Sequence, residues 1–88
     1  MTRKELDILC THLYTACYDF YFDCFYNHID GDDSPFSFSY DAVKELAKDL
    51  LSKGDIDFTE VFSDIDNKAK HDAKEAEKEY NQYCFKWR

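Results

Sequence analysis

A chain of 88 residues holds one domain's worth of sequence, and at that length it buries only about 60–65% of its unfolded surface, so a partner or a second copy would add materially to its stability. The formal net charge is −8, and residues 30–66 supply all of it, with eleven acids against three lysines; a field of that sign repels nucleic acid and steers basic proteins inward. Aromatics make up 18% of the chain, which excludes an acidic disordered tail, and no run approaches the roughly 18–20 apolar residues of a membrane span.

Two glycines and one proline fall where the hydrophobic periodicity breaks. Gly31 and Pro35 bracket one connection and Gly54 marks a second, which divides the chain into three periodic segments. The first opens on Thr2-Arg3-Lys4-Glu5, a capping box in which hydroxyl and carboxylate satisfy free backbone N–H groups. Leu6, Cys10, Leu13, Cys17, Phe20 and Cys24 then recur at alternating spacings of four and three, the seam of a helix over about residues 2–28. Tyr14, Tyr21 and Phe25 widen that seam, while Phe22 and Tyr26 sit toward the polar face.

Asp30 to Pro35 is a turn by composition. Phe36 and Phe38 alternate with Ser37 and Ser39, which predicts a short extended stretch whose rings fold back over the core. From Ser39 as N-cap, Val43, Leu46, Ala47, Leu50 and Leu51 describe a second, shorter helix over about 39–53, closed by Gly54 as a C-cap glycine. Asp57-Phe58-Thr59-Glu60 is another capping box, with Ile56 and Val61 placed as a hydrophobic staple. The stripe Phe58, Phe62, Ile65, Ala69, Ala73 or Ala76, Tyr80, Tyr83 with Cys84, and Trp87 predicts a third helix over about 57–87. The fold class expected is therefore all-α: residues 1–88 form a single helical domain, a three-helix bundle with two long helices and a shorter middle one. In an up-down-up order the first and third helices run parallel and bring Cys84 near Cys24.

The motifs that suggest chemistry are incomplete. Gly54 to Val61 resembles the second half of a calcium loop, but Leu51 and Lys53 occupy positions that must ligate. Asp30, Asp32 and Ser34 form a second partial loop, with Pro35 where glycine is required. Cys24 and His28 are spaced to share a zinc ion, yet no fourth ligand joins them and Cys84. Cys10, Cys17 and Cys24 lie about 10 Å apart along one helix, too far to pair with one another. Together with a start that runs into a helix instead of a signal-peptide core, this predicts reduced thiols and a cytoplasmic location. Two glycines cannot build a phosphate-cradling loop, and no Gly-x-Ser-x-Gly or His-Glu-x-x-His pattern occurs. The reading is of no enzyme, no cofactor and no metal.

Two candidate surfaces remain. Asp41, Glu45 and Asp49 repeat at i, i+4 and i+8, about 6 Å apart by helical rise, and Asp57, Glu60 and Asp64 follow on the third helix. Such a row can compete with DNA phosphates for the Lys/Arg groove of a nucleic-acid-binding protein, although Lys44, Lys48 and Lys53 stand close enough to neutralise it. Phe22, Tyr26, Phe36, Phe38 and Trp87 form an aromatic surface suited to anchoring a partner. The function expected is a small acidic inhibitor that occludes a basic, nucleic-acid-binding protein, in the manner of a DNA mimic. Its size and charge are those of anti-restriction and anti-CRISPR inhibitors from phages and mobile elements, an analogy of class alone. The alternative is an oligomeric scaffold or adaptor, a homodimer included, that acts through the third helix. A weak divalent-cation regulator ranks third. Neither direct nucleic-acid binding nor a membrane partner is expected.

Overall fold

In the computed structural model the backbone is described for residues 2–86 and the side chains for residues 2–80. Three α-helices follow one another: α1 (Arg3–Asn27), α2 (Ser37–Lys53) and α3 (Phe58–Lys86), with a single 3-10 turn at Gly31–Asp33. The all-helical, long-short-long architecture is that expected from periodicity. Cys10, Thr11 and Tyr14 border a groove with Asp64, Ile65 and Lys68, and Tyr26 meets Tyr80 further along, so α1 and α3 run in the same direction. Among the described residues, no helix is long and apolar enough to cross a membrane.

Each helix begins for a local reason. The Thr2 hydroxyl accepts from the Glu5 N–H at 3.1 Å and donates to the Glu5 carboxylate at 3.0 Å, so the capping box closes side chain on side chain. Asp57 Oδ1 accepts from the Thr59 N–H at 3.0 Å and starts α3. At α2 the sequence expectation is corrected: residues 36–38 are not extended. The Ser34 hydroxyl accepts from the Phe36 N–H at 3.2 Å, Pro35 follows it, and the helix is under way by Ser37, with Ser39 already inside it. Phe36 is the N-cap and has no side-chain cap of its own; the turn braced by the Ser34 hydroxyl ahead of it directs the chain into the helix and outweighs the Phe-Ser alternation. The rings do not fold back over the core either, since Phe36 is 40% exposed and Phe38 83%.

Both helix ends depart from the glycine rule. α2 closes with the Asp55 N–H on the Ser52 carbonyl and the Ile56 N–H on the Leu51 carbonyl, a Schellman motif whose left-handed residue is Asp55 (φ 56°). Gly54, expected to take that conformation, sits one position earlier at φ −93°. His28 plays the same part after α1, at φ 54°. Gly31 is needed for a different reason: a Cβ there would lie 2.9 Å from the Phe20 ring, which packs over the turn.

The core is small and its centre is lined by alanine. Leu9, Leu13, Cys17, Ala47, Leu51 and Ala69 form the buried cluster, and Ala16 and Ala73 are buried as well. Leu9 and Ala16 were not on the predicted seam, while Cys10 and Cys24, which were, are only half-buried. The reason is that α1 packs against two helices and so buries a wider arc than a single seam. Alanines at the centre let the backbones approach closely, and the large rings are displaced outward. Tyr14, Tyr18, Tyr21, Tyr40, Phe58 and Phe62 ring the cluster as a half-buried collar. That collar absorbs much of the aromatic surplus, each ring adding apolar burial at about 25 cal/mol per Å². Leu46, read from sequence as a core position, is 54% exposed.

Candidate functional site

Tyrosine hydroxyls and aspartates fasten the three helices to one another. Asp66 on α3 accepts from Tyr21 of α1 at 2.8 and 3.0 Å and from Tyr40 of α2 at 3.1 Å. One carboxylate therefore ties all three helices. Tyr14 donates to Asp72 at 2.5 Å further along the α1–α3 seam. Burial and the hydrogen bond to Asp66 push the Tyr21 hydroxyl up to about 12, and burial first pushes Tyr40 higher still. The hydrogen bond to Asp72, then burial, raises Tyr14 to about 12. Burial, with Asp66 adding to it, holds the Cys17 thiol at about 12, and burial also raises Cys10 and Cys24. These thiols are protonated at neutral pH, which removes the thiolate that nucleophilic chemistry needs.

Asp66 thus differs from the other acids of its segment. In the sequence it is one of the eleven acids of residues 30–66, outside the predicted acidic face, and no local signal separates it from Asp64. Its role follows from two tyrosines that are 45 and 26 residues away in sequence. Asp23 is also structural: its carboxylate accepts from the buried Ser34 hydroxyl at 2.6 Å and pins the start of α2 to α1.

The six predicted acids are all exposed, and the three that line depressions are split between two. Asp64 lines the α1–α3 groove beside Asp7 and Lys68. Glu45 and Asp49 line a separate depression on α2 with Lys48 and Ser52. Asp57 is occupied as the α3 cap, and Glu60 is exposed in the first turn of that helix. At 3.6 residues per turn, Glu45 and Asp49 each stand about 160° from the buried Ala47, and Asp41 about 120°. The row on α2 therefore faces outward. Asp49 pairs with Lys53 at 3.1 Å, and among the described residues no cation closes on Asp41 or Glu45. Lys44, which could have neutralised the row, instead lies 4.8 Å from the Phe62 ring centroid and 5.9 Å from that of Tyr40. Asp41 and Glu45 are therefore the two acids of the row left without an ion pair among the described residues, while Asp49 is paired with Lys53 and Lys48 borders the same depression.

The aromatic candidates are placed differently from one another. Phe22 sits in a ladder of i, i+4 stacks, Tyr14–Tyr18–Phe22–Tyr26, with centroids 6.0, 6.1 and 5.6 Å apart. Tyr26 closes the ladder edge-on against Tyr80 at 5.2 Å and keeps 37% of its surface exposed. Both rings are engaged within the fold. Trp87 lies outside the described residues, and so do the side chains of Tyr83 and Cys84, on which the predicted approach to Cys24 depends. Among the described residues the most exposed ring is Phe38, on the side of α2 about 180° from Ala47. Ala42 and Leu46 continue from it at i+4 and i+8, so an exposed apolar row runs beside the acidic one. Spacing alone reveals that row once α2 is known to begin at Ser37.

The partial cation motifs resolve into ordinary local structure. Asp49 stays in α2 and pairs with Lys53, and Ser34 turns inward to Asp23. Among the described residues, no three His, Cys, Asp or Glu side chains converge as metal ligands. What the α2 face offers chemically is a line of hydrogen-bond acceptors suited to ammonium and guanidinium groups. No protein family, curated protein or solved structure matches the chain.

Proposed function

We propose that this chain is a small, acidic, non-enzymatic inhibitor that binds another protein and occludes its basic, nucleic-acid-binding surface. The observation that supports this reading is the outward row Asp41, Glu45 and Asp49, whose potential neutraliser Lys44 is held over the Phe62 ring of α3. Successive carboxylates about 6 Å apart present regularly spaced charge on a stiff helix, and that is what a lysine- and arginine-lined groove recognises in a phosphate backbone. The size and charge suit an anti-defence inhibitor from a phage or mobile element. The reading is tested by capture from source-cell lysate at low and high salt, with the parent chain and with Asp41→Lys, Glu45→Lys, Asp49→Lys. A basic nucleic-acid-binding protein held only by the parent and released by salt supports occlusion. Salt-resistant capture of the same proteins by both versions refutes it.

A further inference from the structure

The exposed apolar row on α2 plays no part in occlusion by charge alone, and it leaves a phenylalanine 83% and a leucine 54% exposed on the same helix. Scattered apolar residues on a surface need no explanation, but Phe38, Ala42 and Leu46 are regularly spaced and run directly beside Asp41, Glu45 and Asp49. We propose that this face of α2 docks one amphipathic, basic α-helix of the partner protein, with the partner's apolar side chains covering Phe38, Ala42 and Leu46 and its lysines or arginines meeting the three carboxylates. The proposal rests on the reading of α2 as a protein-binding face and names the shape of what binds there.

Three considerations select that occupant. The two rows follow an i, i+4 repeat over about 16 Å, three helical turns, and a second helix laid alongside presents its own rows at the same interval. Charge complementarity selects a cationic partner: two copies of this chain pairing face to face would set Asp41, Glu45 and Asp49 against like charges. Nucleic acid is repelled for the same reason, and a uniformly basic strand would leave Phe38 and Leu46 in water. The combination of apolar anchors with a flanking row of opposite charge is the helix-on-helix mode of peptide recognition.

The test is a fluorescence-anisotropy titration with synthetic peptides. One is a four-turn helix with leucine at i, i+4 and i+8 and lysine or arginine in the neighbouring row; the other has the same composition, scrambled so that neither row persists. The patterned peptide is expected to bind about tenfold tighter than the scrambled one, as burial of one large apolar side chain implies. Phe38→Ser with Leu46→Ser should remove that advantage and leave the scrambled peptide's affinity unchanged. Both positions are exposed, so far-UV circular dichroism should show the fold intact. Asp41→Asn, Glu45→Gln, Asp49→Asn should weaken both peptides together. Equal binding of the two peptides by the parent overturns the helix-docking proposal and leaves occlusion by charge standing. Patterned-peptide binding that survives neutralisation of the acids overturns the charge reading and the basic character assigned to the helix. A concentration-dependent dimer, seen by sedimentation and lost in Phe38→Ser, assigns the face to a second copy and overturns a foreign partner.

Discussion

Replacing Asp66 with alanine should destabilise this protein far more than replacing any acid of the α2 row. Asp66 accepts from Tyr21 at 2.8 and 3.0 Å and from Tyr40 at 3.1 Å, and these bonds connect α3 to both other helices. Hydrogen bonds to a charged group are each worth about 1.5–3 kcal/mol; because both tyrosines are half-buried, the lower end applies, and two of them sum to about 3 kcal/mol. Against a total of about 4–13 kcal/mol for a chain of this length, that is a large share. The melting temperature should fall by roughly 12–24 °C. Asparagine keeps an acceptor without the charge, so Asp66→Asn should lose about half as much. The assay is urea unfolding followed by circular dichroism, with Glu60→Ala as the exposed control, expected to lie within about 0.5 kcal/mol of the parent. An Asp66→Ala midpoint indistinguishable from that control would refute the account of a carboxylate that fastens three helices.

Four further outcomes follow from the same geometry. Tyr14 and Tyr21 have hydroxyls held at about 12 and Tyr40 is raised further, all above the ordinary tyrosine value, so the folded state retains protons that the unfolded chain gives up first. Their contribution to stability is complete below about pH 10 and is lost as pH rises toward 12; urea midpoints from about pH 8 to about pH 11 should decline, less steeply in a Tyr21→Phe, Tyr40→Phe variant. Gly54→Ala should be neutral or stabilising by about 0.4–1 kcal/mol, because its φ of −93° suits alanine; a clear loss in thermal unfolding would return the left-handed cap to Gly54. Gly31→Ala should cost about 1–3 kcal/mol by overpacking against Phe20, measured in the same way. Ser34→Ala removes a buried hydroxyl that donates to Asp23 and accepts from Phe36, and should cost about 1–2 kcal/mol with a loss of helical signal from the start of α2.

The parts of the fold legible in sequence were those governed by neighbours in the chain. Thr2 with Glu5 announces α1 and Asp57 announces α3, although Asp57 takes the Thr59 N–H where a box with Glu60 was expected, and the heptad-like spacing of Leu6 to Cys24 announces a helix whatever packs on it. The start of α2 was obscured because the Phe-Ser alternation after the Asp30 to Pro35 turn reads as extended; the turn itself is pinned by Asp23, on α1, which receives the Ser34 hydroxyl. The left-handed cap residue was placed one position early because glycine is the commoner occupant, whereas aspartate tolerates that conformation and the hydrogen-bond pattern from Leu51 and Ser52 fixes the site at Asp55. Asp66 was indistinguishable from its solvated neighbours for a similar reason, since its partners come from two other helices. The acidic row on α2 was visible as spacing. That Lys44 turns away from it, and that Phe38 and Leu46 flank it in solvent, required the packing of α2 against α1 and α3 to be known.

Under the proposed function, the outward face of α2 competes with nucleic acid for a basic protein surface. The most direct measurement takes the protein captured by the parent chain, loads it with labelled nucleic acid, and titrates in either the parent chain or the Asp41→Lys, Glu45→Lys, Asp49→Lys variant. Release of the nucleic acid at stoichiometric parent chain, with none by the variant, is the predicted result. Nucleic acid that stays bound while the parent chain joins the complex would contradict it.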